Sequence, residues 1–150
     1  MGMRGQAATE YLIILAVVVI IALIVVGVLG AFPAISGTVT RQQSEAYWQN
    51  AEIGIMPNYR LSGSTAELTV KNNKGFAIRL TGIKFDGQGS LSGSSILLSP
   101  GSSVDVQVQD IALCTQGQQF SHTVAIMYED QITGRKFTFT GATQITGTCQ

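Results

Sequence analysis

The sequence predicts an α+β fold, a long N-terminal apolar helix followed by an antiparallel β-sandwich head, on three observations. Tyr11 to Ile35 is almost unbroken apolar sequence with no charge, long enough as a helix to cross a bilayer. Beyond Ile53 apolar and polar residues alternate with period two, the pattern of half-buried strands. Between the alternating runs lie NNKG, DGQG, SGSS and SPGSS, turn clusters at about ten-residue spacing, which is the cadence of an Ig-like sandwich of about six or seven short strands. With 150 residues there is room for about one folded unit beside the helix. The expected segments are a leader over 1–5, one helix over 6–52 and the head over 53–150. No internal repeat is visible.

The helix has two halves. Leu12 to Leu15 and Val17 to Ile21 are apolar all round, so this half belongs in lipid or among other apolar helices. Gly27, Gly30 and Pro33 then weaken it. Proline removes a backbone donor and crowds the carbonyl four residues back, at about 3 kcal/mol in a straight helix. A kink or an unwound stretch is expected there. Farther on, Ile35, Val39, Ala46 and, offset by a turn, Tyr47, Ala51 and Ile55 trace an apolar stripe broken at Gln42. Arg41 and Glu45 form an i,i+4 pair on its polar side. A helix of about 47 residues reaches roughly 70 Å, more than a bilayer needs, so the excess serves the head or neighbouring subunits.

Pro57-Asn58 is a turn signal at the boundary. In the head, Ala66, Leu68 and Val70 interleave with Glu67, Thr69 and Lys71, and Val104, Val106 and Val108 interleave with Asp105 and Gln107. Val124, Ile126 and Tyr128 are expected to face Phe137 and Phe139 across the turn DQITG. Each set reads as one half-buried strand.

The composition argues against several functions. Nine basic and nine acidic residues cancel, with no basic cluster, so nucleic acid is not an expected partner. Cys114 and Cys149 occur without a CxxC or Cys/His cluster, which leaves a zinc site without ligands. The expected use is a disulfide closing a loop of about 36 residues, worth roughly 3 to 4 kcal/mol, with two buried thiols as the alternative. The single histidine, His122, has no nucleophile or orienting acid beside it in sequence and reads as a strand-end residue. The glycines of DGQGSLSG lack the lysine and helix of a phosphate loop, so a hairpin loop explains them. Glu129-Asp130 is not embedded in a calcium-type ligand series and reads as a solvated turn. No catalytic residue, metal site or cofactor is expected, and the chain reads as a non-enzyme. A head rich in Ser, Thr, Gly and Gln and poor in charge points outside the cell.

One residue resists this account. Glu10 places a carboxylate at the lip of the apolar run, where burying an unpaired charge is costly. The string GQAATEYLIIL around it, with Gly5, Gln6, Ala8, Glu10, Tyr11 and Leu12 after the single basic residue Arg4, resembles the class III leader of archaeal type IV pilins. The family pattern commonly has serine where this chain has Ala8, and both are small residues that let helices approach closely. NNKGFAIRLTGIKF is similar in type to strands of archaeal pilins.

The resemblance implies that a prepilin peptidase recognises Arg4, Gly5, Gln6 and Glu10 and cuts between Gly5 and Gln6, making Glu10 the fifth mature residue. It further implies that Glu10 pairs with the Gln6 amine of a neighbouring subunit and sets axial register. A buried polar residue does the same in coiled coils. On that reading the precursor sits in the cell membrane with Arg4 inside, passes to the membrane assembly machinery, and matures into a homo-oligomeric helical filament on the cell surface that serves adhesion to surfaces or cells. Two alternatives stay open: a single-pass, membrane-anchored extracellular β-sandwich binding domain, in which Glu10 merely complements the helix N-terminus at headgroup level, and an archaellin-like motility filament subunit.

Overall fold

The structure, a computed structural model, describes residues 4–30 and 33–150, with side chains over 9–27 and 40–150. It comprises two compact units, Met1–Val39 and Thr40–Gln150. An N-terminal apolar helix is followed by antiparallel β-sheets, the α+β class expected. Helix α1 runs over Arg4–Gly30 and α2 over Pro33–Asn50. Proline is well placed at the start of α2, where its missing N–H would have no helical partner. The kink expected from Gly27, Gly30 and Pro33 would fall at residues 31 and 32, which lie outside the described residues.

From Thr40 onward α2 belongs to the same unit as the sheets. Its buried face differs from the expected stripe. Ala51 and Ile55 are buried as expected, but Ala46 is exposed and Tyr47 half-buried, and among the described side chains of the helix the fully buried ones are Ser44 and Trp48. The spacing 44, 48, 51 is helical. A serine can lie on that face because its hydroxyl donates to the Gln144 carbonyl at 2.6 Å. The Arg41–Glu45 pair forms at 2.8 Å, as its spacing predicts.

NNKG ends the helix. Asn73 Nδ2 donates to the Gln49 and Ala51 carbonyls at 3.0 and 2.8 Å, and its backbone N–H to Glu52 at 3.1 Å. Carbonyls that a helix C-terminus leaves without partners are thereby satisfied. Lys74 pairs with Glu52 beside them and lies over the rings of Phe76 and Tyr128.

The first sheet contains β1 (Ile53–Ile55), β2 (Arg60–Ser62), β3 (Thr65–Asn72), β5 (Ser90–Leu91) and β7 (Ser103–Gln109). Its order is β1-β3-β7-β5, with β2 also paired to β3. The second contains β4 (Ile78–Phe85), β6 (Ile96–Leu98), β9 (Val124–Asp130) and β10 (Lys136–Thr140), in the order β10-β9-β4-β6. A separate pair joins β8 (Gln119–His122) to β11 (Ile145–Thr148). All pairings are antiparallel.

The expected alternation is present: Ala66, Leu68 and Val70 of β3 are buried, as are Val106 and Val108 of β7. Tyr128 pairs with Phe137 and Ile126 with Phe139, the register expected across DQITG. Among the described residues eleven strands replace the expected six or seven. Six of them hold two to four residues, too few to display a period. Both larger sheets feed one core, with Ile53, Val70 and Val108 from the first and Ile78, Leu80 and Ile126 from the second.

Cys114 and Cys149 are joined by a disulfide with Cα atoms 5.5 Å apart. It ties the residues after β11 to the connection between β7 and β8. In DGQG, Asp86 and Gly87 adopt positive φ and Phe85 bridges to Gln88, so a tight turn occupies that loop. The DQITG turn is closed by Asp130 Oδ1, which accepts from the N–H groups of Ile132 and Thr133 at 2.7 and 3.3 Å. Asp130 is 8% exposed. Residues 131–135 are exposed, as expected of a solvated turn, while the Asp130 carboxylate that closes it is buried.

Candidate functional site: the apolar segment and the head surface

Within α1, Thr9–Gly27 is a 19-residue stretch of mean hydropathy 3.0, none of it buried. Its large side chains range from 46% exposed at Leu15 to 67% at Tyr11. An aqueous helix protects one apolar stripe, but this one is apolar and uncovered on every side. At 1.5 Å per residue it measures about 28 Å, close to the thickness of a bilayer hydrocarbon core. Each such side chain gains about 1.5 to 3 kcal/mol on full burial. The segment is suited to lipid or to helices of its own kind.

Glu10 stands at the start of that stretch with its side chain exposed, one helical turn beyond Gln6. The side chains of Arg4, Gly5 and Gln6 lie outside the described residues, although all three backbones belong to α1. No further charge occurs before Arg41.

In the head, His122 has an acidic partner that no sequence pattern revealed. It ends β8, and its Nδ1 lies 2.6 Å from Asp86 Oδ2. Asp86 Oδ1 accepts from the Thr123 N–H at 2.8 Å. The imidazole stacks on Phe120 and meets the edge of Phe85. The neighbouring hydroxyl, Ser121 Oγ, is engaged with Gln144 Oε1 at 2.7 Å. This geometry fastens the Asp86 turn to the start of β9.

Partial burial pushes the Asp86 carboxyl upward, but the hydrogen bonds with His122 and the Thr123 N–H outweigh it and hold the group below its ordinary value. A depressed folded value contributes stability above the unfolded value of about 3.9, lost as pH falls through the folded one. Asp86→Asn is expected to flatten the decline of the melting temperature between about pH 5 and pH 2. Asparagine tolerates the positive φ of 49° at this position. Melting curves at stepped pH check this, and an unchanged acid slope would contradict it.

The recesses of the head include the following two. One is an open groove on the outer face of β2, β3 and β7, where Asn58 donates to Thr69 Oγ1 and Thr69 to Asp105, with Arg60 and Glu67 alongside. The other lies between Arg41, Tyr59 and Phe120 and the last residues of the chain. Among the described residues no group of three or more His, Cys, Asp or Glu is placed to hold a metal.

Sequence reasoning missed Trp48 as the buried anchor of α2, Asn73 as its cap and Asp86 as the partner of His122. For Trp48 a signal existed: it is the one tryptophan and lies four residues from Ser44. The other two are contacts between residues distant in sequence. No protein-family model matches the chain, and no characterised protein matches it in sequence.

Proposed function

We propose that the chain is the structural subunit of an extracellular type IV pilus-like filament, that it polymerises through its apolar N-terminal helix, and that it serves adhesion to surfaces or cells. The observation that carries this reading is the combination of α1, apolar and exposed on every side, with a lone carboxylate at its lip behind the junction Gly5-Gln6. A mere anchor needs the helix and draws from the acid only the small gain of complementing a helix N-terminus, about 0.3 to 1 kcal/mol. A filament uses both, because the surface that dissolves in the membrane also packs against copies of itself once the subunits leave it.

On this reading residues 1–5 are a leader removed by a prepilin peptidase, and Gly27, Gly30 and Pro33 allow the helix to bend or unwind inside the bundle. The head is an Ig-like sandwich that faces outward. Support for the sandwich comes from two antiparallel sheets that contribute alternate residues to one core. The subunit is a homo-oligomer without enzymatic activity, a membrane protein as precursor and extracellular when mature.

Intact-mass measurement of filaments sheared from cells tests the proposal. The expected mature chain begins at Gln6. A chain that begins near Ala31 would have lost the filament core and would overturn the reading, and retention of Met1 in a cell-bound protein would favour the anchored binding domain.

A further inference from the structure

Two pieces of chain hold the end of α2 in the head. Asn73 takes the Gln49 carbonyl in the last turn and those of Ala51 and Glu52 just beyond it. The turn before them is held by the C-terminal segment. There the Ala142 N–H donates to Tyr47 Oη at 2.8 Å, and Ser44 Oγ donates to the Gln144 carbonyl at 2.6 Å. Gly141 lies against Trp48 so closely that a Cβ would stand 2.2 Å from ring atom Cζ2. Farther along, Tyr59 Oη donates to the Thr146 carbonyl at 2.6 Å, and the Gln150 N–H to Leu61 at 2.9 Å.

This segment is fastened at both ends. At its start the Gly141 N–H donates to Val124 at 3.0 Å. At its end Cys149 is bonded to Cys114, whose own N–H and carbonyl pair with Gly63 at 2.7 and 3.1 Å. Its strand β11 pairs with β8 in a two-stranded sheet apart from the ladders of the two larger sheets. Both sulfur-bearing residues are 4% exposed, so the segment must lift before a reductant reaches the bond.

We propose that Gly141–Gln150 is a strap that clamps the Ser44–Trp48 turn of α2 to the head, and that the Cys114–Cys149 bond is its buckle rather than a staple of the sheets. With the strap closed, the turn is part of the core. With it open, Trp48 loses the surface that covers it, and the turn is free to leave while the two larger ladders persist. The inference concerns the head alone and does not rest on the filament reading.

Hydrogen–deuterium exchange on the full chain in detergent micelles tests it with two variants. Gly141→Val drives a side chain into Trp48 and leaves the disulfide in place, while Cys149→Ser removes the buckle. Both are expected to raise exchange at Ser44–Trp48 and Ile145–Thr148 by about tenfold or more, with β3 and β9 changing less than about twofold. Unchanged protection of Ser44–Trp48 in both variants would overturn the strap. Loss of β3 and β9 protection together with α2, or failure of either variant to fold, would make the segment an inseparable part of the sheets and overturn the proposal as well.

Discussion

Glu10→Gln is expected to abolish filaments or distort their register while removal of residues 1–5 and folding of the head continue. Glu10 lies in the unit Met1–Val39, and every residue of the head core belongs to Thr40–Gln150, so the substitution changes no residue of that core. In a membrane the change is favourable, because an acid at the centre of a spanning helix costs about 2.5 to 3.5 kcal/mol and less near its end. An anchored binding domain therefore tolerates it or gains. In a filament the amine of a neighbouring Gln6 would be left alone in apolar surroundings, and breaking one side of a buried ion pair costs about 3 to 5 kcal/mol. That cost recurs at every subunit. Filament counts by electron microscopy, beside immunoblots of processed subunit in the membrane, separate assembly from processing. Normal yield with normal helical symmetry would sink the register role.

Trp48→Ala is expected to destabilise the head by about 3 to 5 kcal/mol, the usual cost of emptying a large aromatic site in a core. The ring is fully buried and meets Tyr47 and Phe139 edge-on, with centroids 5.4 and 6.2 Å away. Glycine at position 141 leaves room for it, and no larger residue fits there without moving the ring. For a unit of this size the melting temperature should fall by roughly 10 to 20 °C. Far-UV circular dichroism is the readout, because the variant has lost the chain's one tryptophan. Trp48→Phe should cost much less, since most of the packed ring remains. A shift of under about 3 °C for the alanine variant would mean that α2 contributes little to the core.

The class of the fold was legible because an unbroken apolar run and a period of two are both written in neighbouring residues. The apolar run of α1 and the alternation in β3, β7 and β9 each need only a local window. The pairing of Tyr128 with Phe137 was legible for the same reason, as a short turn fixes the register of its two strands. Much of the candidate assembly segment was equally local: Glu10, Gly5 and Gln6 stand within a few residues of one another. The stripe on α2 was misplaced because Ser44 reads as polar until its acceptor, the Gln144 carbonyl 100 residues away, is known.

By itself the sequence determined an apolar helix that water cannot cover, a carboxylate at its lip and a set of half-buried strands, all consequences of side-chain chemistry at short spacing. Tertiary structure alone decided which face of α2 is core, which loop caps it and which acid meets His122. Those outcomes depend on close approaches such as Asp86 to His122, Asn73 to Gln49 and Gly141 to Trp48. The physical reason is that a hydrogen bond or a packed ring requires positions set to a few tenths of an ångström, and only the assembled sheets bring such distant segments that close.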